Sequence, residues 1–164
     1  MRNSLIVTLA FLVFSPVAAK KKPAKEVSAW KEERDYSPVR GEHTYYATNW
    51  TPTATFAIRC HQGEINVLIS PERLIFDPSI SYRVDQDEAV LENPQWSASG
   101  NNKAIGIWTT QDSVAFLDML ASKKRMIFWY EINHNYGQEK GLFTMPGIEK
   151  IVQKVKKECN VQSP

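Results

Sequence analysis

The chain has only two cysteines, Cys60 and Cys159, and most of the segment expected to fold lies between them. Joining them would close a loop of roughly 100 residues, for which chain-entropy reasoning gives about 4 to 5 kcal/mol as an upper figure. That is comparable with the whole stability of a small domain. Around Cys60 the pattern is sharp. Two alternating apolar runs, Thr55-Phe56-Ala57-Ile58 and Ile65-Asn66-Val67-Leu68-Ile69, flank the turn-forming Cys60-His61-Gln62-Gly63. The economical reading is a β-hairpin with Cys60 at its tip, to which the C-terminus is fastened. A nucleophilic Cys60 activated by His61 is disfavoured, because adjacent strand residues point to opposite faces and cannot hydrogen-bond as nucleophile and base.

The redox compartment follows from the start of the chain. Arg2, the apolar stretch from Leu5 to Phe14, and the small residues Val17-Ala18-Ala19 have the three parts of a secretory leader, with cleavage expected after Ala19. About ten apolar residues are too few to cross a hydrocarbon core that needs roughly twenty. No later stretch is longer. The expectation is a bacterial periplasmic protein with no membrane span after cleavage, and two cysteines in an exported chain suggest one disulfide.

The 145 residues from Lys20 to Pro164 suffice for a single core. Without Arg2 there are 19 basic and 18 acidic side chains. Lys20, Lys21, Lys22 and Lys25 crowd the new N-terminus, so the remainder is slightly acidic, 15 against 18. This balance argues against nucleic acid as a partner. Residues 20–29 read as a lysine-rich solvated tail or linker, with weak contact to an anionic lipid or polymer as the sharper alternative, and residues 30–164 as one domain.

Within that domain Trp30 to Asp35 has the composition of a short helical turn, stopped by Ser37-Pro38. Strands are expected over Thr44 to Trp50, Ile80 to Asp85, Glu92 to Ser99, Ala104 to Trp108 and Met126 to Ile132, and Pro71 to Phe76 is a connection or a further strand. Turns are expected at Gln86-Asp87-Glu88, at Gly100 to Lys103 and from Gly137 to Gly141, the last leading into Leu142 to Met145. Asp112 can cap a helix whose stripe is Val114, Leu117, Leu120 and Ala121, with Phe116 beside it. A second helix begins at Pro146 with Ile148, Ile151, Val152 and Val155 on one side, and Cys159 continues that face. The fold class is α+β and mainly antiparallel β: a sandwich-like single domain of six or seven strands with two short helices, the last tied back by the disulfide.

No catalytic motif, phosphate loop or cofactor signature stands out, and His43, His61 and His134 are too isolated for a zinc site. Asp85, Asp87 and Glu88 lack the glycine and terminal glutamate of a calcium loop and read as a solvated turn. Arg83 and Asp85 lie two apart on one strand face. Either they pair with neighbours on the sheet or they form a recognition face for a peptide or glycan. Trp50, Trp96, Trp108 and Trp129 are core residues by default, and one or two left exposed would suggest a saccharide- or protein-binding face.

Several pieces, taken in order, resemble the VasI/TagO-type accessory proteins associated with bacterial type VI secretion. They are the apolar strand into Arg59-Cys60; Tyr82-Arg83-Val84-Asp85; Trp96 with Ser97 and Ser99; Phe116 to Leu120; and Phe143 through Gly147, Ile148, Ile151 and Val155 to Cys159. The resemblance covers roughly Trp30 to Cys159. It implies a small exported β-rich protein with Cys60 bonded to Cys159, an accessory role without catalysis, and an envelope protein as partner. It also implies that Trp30, ahead of the first strand, packs onto the domain. The lysine-rich leader and the segment from Trp129-Tyr130 to Gly141 depart from the pattern. A peptidoglycan-binding protein, or an inhibitor of a cell-wall lytic enzyme, is the alternative expectation.

Overall fold

The computed structural model describes residues 30–85, 91–92, 95–123 and 127–161. The expected leader 1–19, the tail 20–29 and the turn at Gln86-Asp87-Glu88 lie outside the described residues. In chain order come β1 (Lys31–Ser37), β2 (Glu42–Trp50), β3 (Ala54–His61), β4 (Glu64–Pro71), β5 (Ser79–Val84), β6 (Leu91–Glu92), β7 (Trp96–Ala98) and β8 (Ile105–Ile107). Helix α1 (Thr110–Ala121), β9 (Ile127–His134), β10 (Gly137–Thr144) and helix α2 (Ile148–Glu158) complete the order.

The hairpin forms where the alternation puts it. β3 pairs antiparallel with β4, Cys60 opposite Ile65, and the two-residue turn is Gln62-Gly63. Both turn residues have positive φ, 53° and 79°, as in the mirror-image turn whose twist matches that of the strands it joins. Cys60 is thus an inward-facing strand residue just before the turn, not part of the tip. Its disulfide to Cys159 spans 5.6 Å between Cα atoms.

The strands form two antiparallel sheets. The first has the order β1-β2-β3-β4-β8-β7 and the second β10-β9-β5-β6. Alternation decides what they bury: Tyr45, Ala47, Phe56, Ile58, Ile65, Val67, Ile69, Ile105 and Ile107 from the first, Ile80, Tyr82, Val84, Phe128, Tyr130, Ile132 and Phe143 from the second. The sheets meet through aromatic rings. Phe128 lies 5.8 Å from Phe56 and 5.5 Å from Tyr82, and Phe116 and Trp96 close around it. The α+β, sandwich-like fold with the last helix tied back by a disulfide is therefore what the chain forms.

Both helices pack on the first sheet, α1 against β4 and α2 against β2 and β3. α2 buries Ile148, Ile151, Val152 and Val155, the stripe its spacing predicts. α1 is capped by Thr109, whose hydroxyl accepts from the Asp112 backbone N–H at 3.3 Å; Asp112 sits inside the first turn. Its buried side is Ser113, Phe116, Leu117 and Leu120, with Val114 and Ala121 only partly covered, so the stripe is rotated from the expected one. Lys156, itself buried, ties α2 to Asp118 of α1 at 2.7 Å.

The described residues form ten strands where the sequence cadence suggested six or seven, and three of the segments concerned differ in kind or position from the expectation. Lys31 to Ser37 is an edge strand, not a helical turn, because β2 offers it a ladder and α2 holds it. Lys154 pairs with Glu32, Tyr45 donates to Glu32 at 2.7 Å, and Arg34 pairs with Glu158. Burial and the Glu32 hydrogen bond keep the Tyr45 phenol protonated well above its ordinary range. The expected strand over Glu92 to Ser99 is divided between sheets, β6 in the second and β7 in the first. Gly137 to Gly141 is strand: the turn falls earlier, at Asn135-Tyr136, and His134 pairs with Gly137. A Cβ at Gly141 would meet the Tyr130 hydroxyl at 3.0 Å, so the ring crosses close over a glycine inside the strand. Trp30 does pack onto the domain: it is buried, donates to the Pro146 carbonyl at 3.1 Å and meets Phe56 edge-on.

Candidate functional site

The outward side of the second sheet is built by the residues that alternate with its core set. From β9, Trp129 and Glu131 point out between Phe128, Tyr130 and Ile132; β5 contributes Ser81 and Arg83, and β10 contributes Lys140 and Leu142. Cross-strand register arranges them in two rows. Arg83, Trp129 and Leu142 form one, and Ser81, Glu131 and Lys140 the next. Together they line an open depression of about 530 Å³.

Its chemistry is aromatic and aliphatic at the centre and charged at the margin. Trp129 is 40% and Leu142 36% exposed, and the Arg83 guanidinium carbon lies 5.5 Å from the centre of the Trp129 ring. That stacking holds the indole in one orientation while both groups stay accessible. Two cations against one carboxylate, Arg83 and Lys140 against Glu131, give the rows a positive balance.

The structure parts Arg83 from Asp85. Arg83 is on the face. β5 ends at Val84, and Asp85 turns the chain with φ of 56°. Its carboxylate accepts from the Ile127 backbone N–H at 3.0 Å, and its own backbone N–H donates to the Ile127 carbonyl at 2.7 Å. Asp85 thus closes the end of the sheet, and only Arg83 of the pair stands on the candidate surface. The left-handed turn, which a period-two reading does not anticipate, is the reason.

Of the strand tryptophans, Trp96 is buried, Trp108 is half-buried with its indole N–H on the Ser97 carbonyl at 3.0 Å, and Trp50 and Trp129 are exposed. The histidines are dispersed. His43 stacks on Tyr36, His61 shares a 2.8 Å hydrogen bond with Thr44, and the His134 ring accepts from the Tyr136 backbone N–H at 3.3 Å. Among the described residues no group of three or more histidine, cysteine or acidic side chains could hold a metal ion. Asn49 is 4% exposed and donates to the Thr144 carbonyl at 2.7 Å.

Sequence reasoning named Trp129 only as one of several tryptophans and missed Glu131, Lys140 and Leu142. The alternation in β9 carried the signal for the first two of the face, Trp129 and Glu131. Lys140 and Leu142 were hidden by reading the glycines around Lys140 as a turn.

The fold and this face define a class: a disulfide-tied antiparallel domain that leaves one sheet face open, aromatic at its centre. No family model, no curated protein and no solved structure matches the chain.

Proposed function

We propose that the chain is an exported, non-enzymatic accessory protein that acts by binding another protein of the bacterial envelope, in keeping with its resemblance to VasI/TagO-type accessory proteins of type VI secretion. The observation that carries this reading is the outward face of the second sheet. An apolar centre, Trp129 and Leu142, ringed by Arg83, Glu131 and Lys140 has the anatomy of a protein interface, an anchor within a polar rim. Two charged pairs away from this face, Glu32 with Lys154 and Lys156 with Asp118, tie elements together instead.

The test is site-specific photocrosslinking in the producing cell. A photoreactive residue at Leu142 is expected to trap one envelope protein, and the same residue at Thr48, on the outside of the first sheet, is expected not to. Equal labelling from both positions, or none from Leu142, would defeat the reading. An exposed tryptophan beside an arginine also favours a second reading, a peptidoglycan binder or an inhibitor of a wall-cutting enzyme. Co-sedimentation with purified peptidoglycan that is lost in Trp129→Ala would favour that reading over the first.

A further inference from the structure

The second sheet ends in a full-length strand whose outer backbone is unclaimed among the described residues, and hydrogen bonds at its far end show which groups these are. Both the N–H and the carbonyl of Ile127 are taken up by Asp85, on the β5 side of β9. In an antiparallel ladder a residue sends both backbone groups to the same side and its neighbours send theirs to the other. Phe128, Tyr130, Ile132 and His134 therefore bond to β10, through Phe143, Gly141, Glu139 and Gly137 in the observed register. The backbone groups of Gln138, Lys140, Leu142 and Thr144 are left facing away from the sheet. The Thr144 carbonyl confirms the assignment, since it is the one that accepts from Asn49.

The protein thus caps the last of these positions itself and leaves Gln138, Lys140 and Leu142 open. Gln138, Lys140 and Leu142 are solvent-exposed residues, and among the described residues β9 is the only strand with which β10 pairs. The other edges differ. β1 carries Lys31, Glu32, Glu33, Arg34 and Asp35 in succession, the charge density that natural sheets use to discourage added strands, while β6 and β7 are two and three residues long.

We infer that the edge of β10 receives an extended segment of a partner polypeptide, added as a fifth strand to the second sheet, with an acidic side chain opposite Lys140 and an apolar one opposite Leu142. This rests on the protein-binding reading above and specifies its mode. Residues opposite Lys140 and Leu142 project to the outward face, beside the depression lined by Trp129 and Arg83. The incoming backbone supplies the hydrogen bonds and its alternate side chains supply the discrimination. A second copy of this chain is a poor occupant. The two-fold antiparallel register that uses all three open positions sets Lys140 against Lys140, and like charges directly opposite are destabilising.

The test uses the unaltered oxidised protein and a short acetylated peptide of alternating valine and threonine with a central glutamate. The peptide is expected to shift the amide resonances of Gln138, Lys140 and Leu142 and to slow their hydrogen exchange. Affinity is expected to fall at least tenfold when the central glutamate becomes lysine, and likewise when the peptide amides that would face β10 are N-methylated. Shifts confined to β1 or the first sheet, or equal binding by the N-methylated peptide, would overturn the proposal. So would a concentration-dependent dimer that protects the same three amides. Gln138→Pro removes one outward N–H without breaking the β9 ladder, and Gln138→Ala keeps it. If photocrosslinking from Leu142 persists unchanged in Gln138→Pro, strand addition falls while the protein-binding reading stands.

Discussion

The first sheet and the second are held by different devices. Around the first, ties are specific and long-range: the Cys60–Cys159 disulfide, Glu32 to Lys154, Arg34 to Glu158, and Trp30 to the Pro146 carbonyl all bind its strands or the segment leading into them to the C-terminal part of the chain. The second is held by ring packing on one side, with Phe128 at the hub, and among the described residues Trp129 stays exposed on the other beside Arg83. Rigidity thus resides in the first sheet and availability in the second. A crosslinked scaffold carries a second sheet whose outer side is open among the described residues.

Four measurements test that contrast. Reducing the disulfide, or replacing Cys60 and Cys159 by serine, is expected to cost up to about 4 to 5 kcal/mol in urea unfolding. Hydrogen exchange should then accelerate first in α2 and β1 to β3; simultaneous acceleration in β9 would mean that the sheets share one support. Phe128→Ala should cost about 3 to 5 kcal/mol, because it opens a cavity where both sheets and α1 meet. A loss under about 1 kcal/mol would show that the rings do not join the sheets.

Trp129→Ser should change stability by no more than about 1 kcal/mol, the scale of an exposed cation–π contact, yet abolish crosslinking from Leu142. Equal damage to both would make the open face structural. The smallest effect concerns the ionic clamp on β1. Hydrogen bonds from Lys154 and Tyr45 lower the Glu32 carboxyl below its usual 4.5, and Arg34 does the same for Glu158. Folded values below the unfolded one give stability that is present above about pH 4.5 and lost as the pH falls through the lowered values. Glu32→Gln should flatten that acid limb and cost under about 1 kcal/mol at neutral pH, since these groups are largely exposed. An unchanged acid limb in urea titrations would show that the clamp does not hold β1.

Much of the first sheet was legible because its signals are local. The Cys60 hairpin needs only alternation and a Gln62-Gly63 turn, and the α2 stripe needs only helical spacing. The second sheet was legible on its buried side and obscure on its edge. Gly137 and Gly141 bracket β10 with the residues that punctuate turns, and only the pairing of Gly141 under Tyr130 makes a strand of them. β1 was obscure for a related reason: Glu32, Glu33 and Arg34 have no apolar period, and their strand exists because β2 and α2 receive it.

By itself the sequence determined the antiparallel α+β class, the alternating core residues and the partnership of Cys60 with Cys159, because side-chain period and cysteine count act without reference to distant residues. Tertiary structure alone decided that Asp85 leaves the face on which Arg83 stays, that Trp129 lies open where Trp96 is enclosed, and that β10 ends the second sheet. Each of those outcomes depends on which neighbour occupies the space beside a residue, and a neighbour distant in sequence is invisible to local pattern.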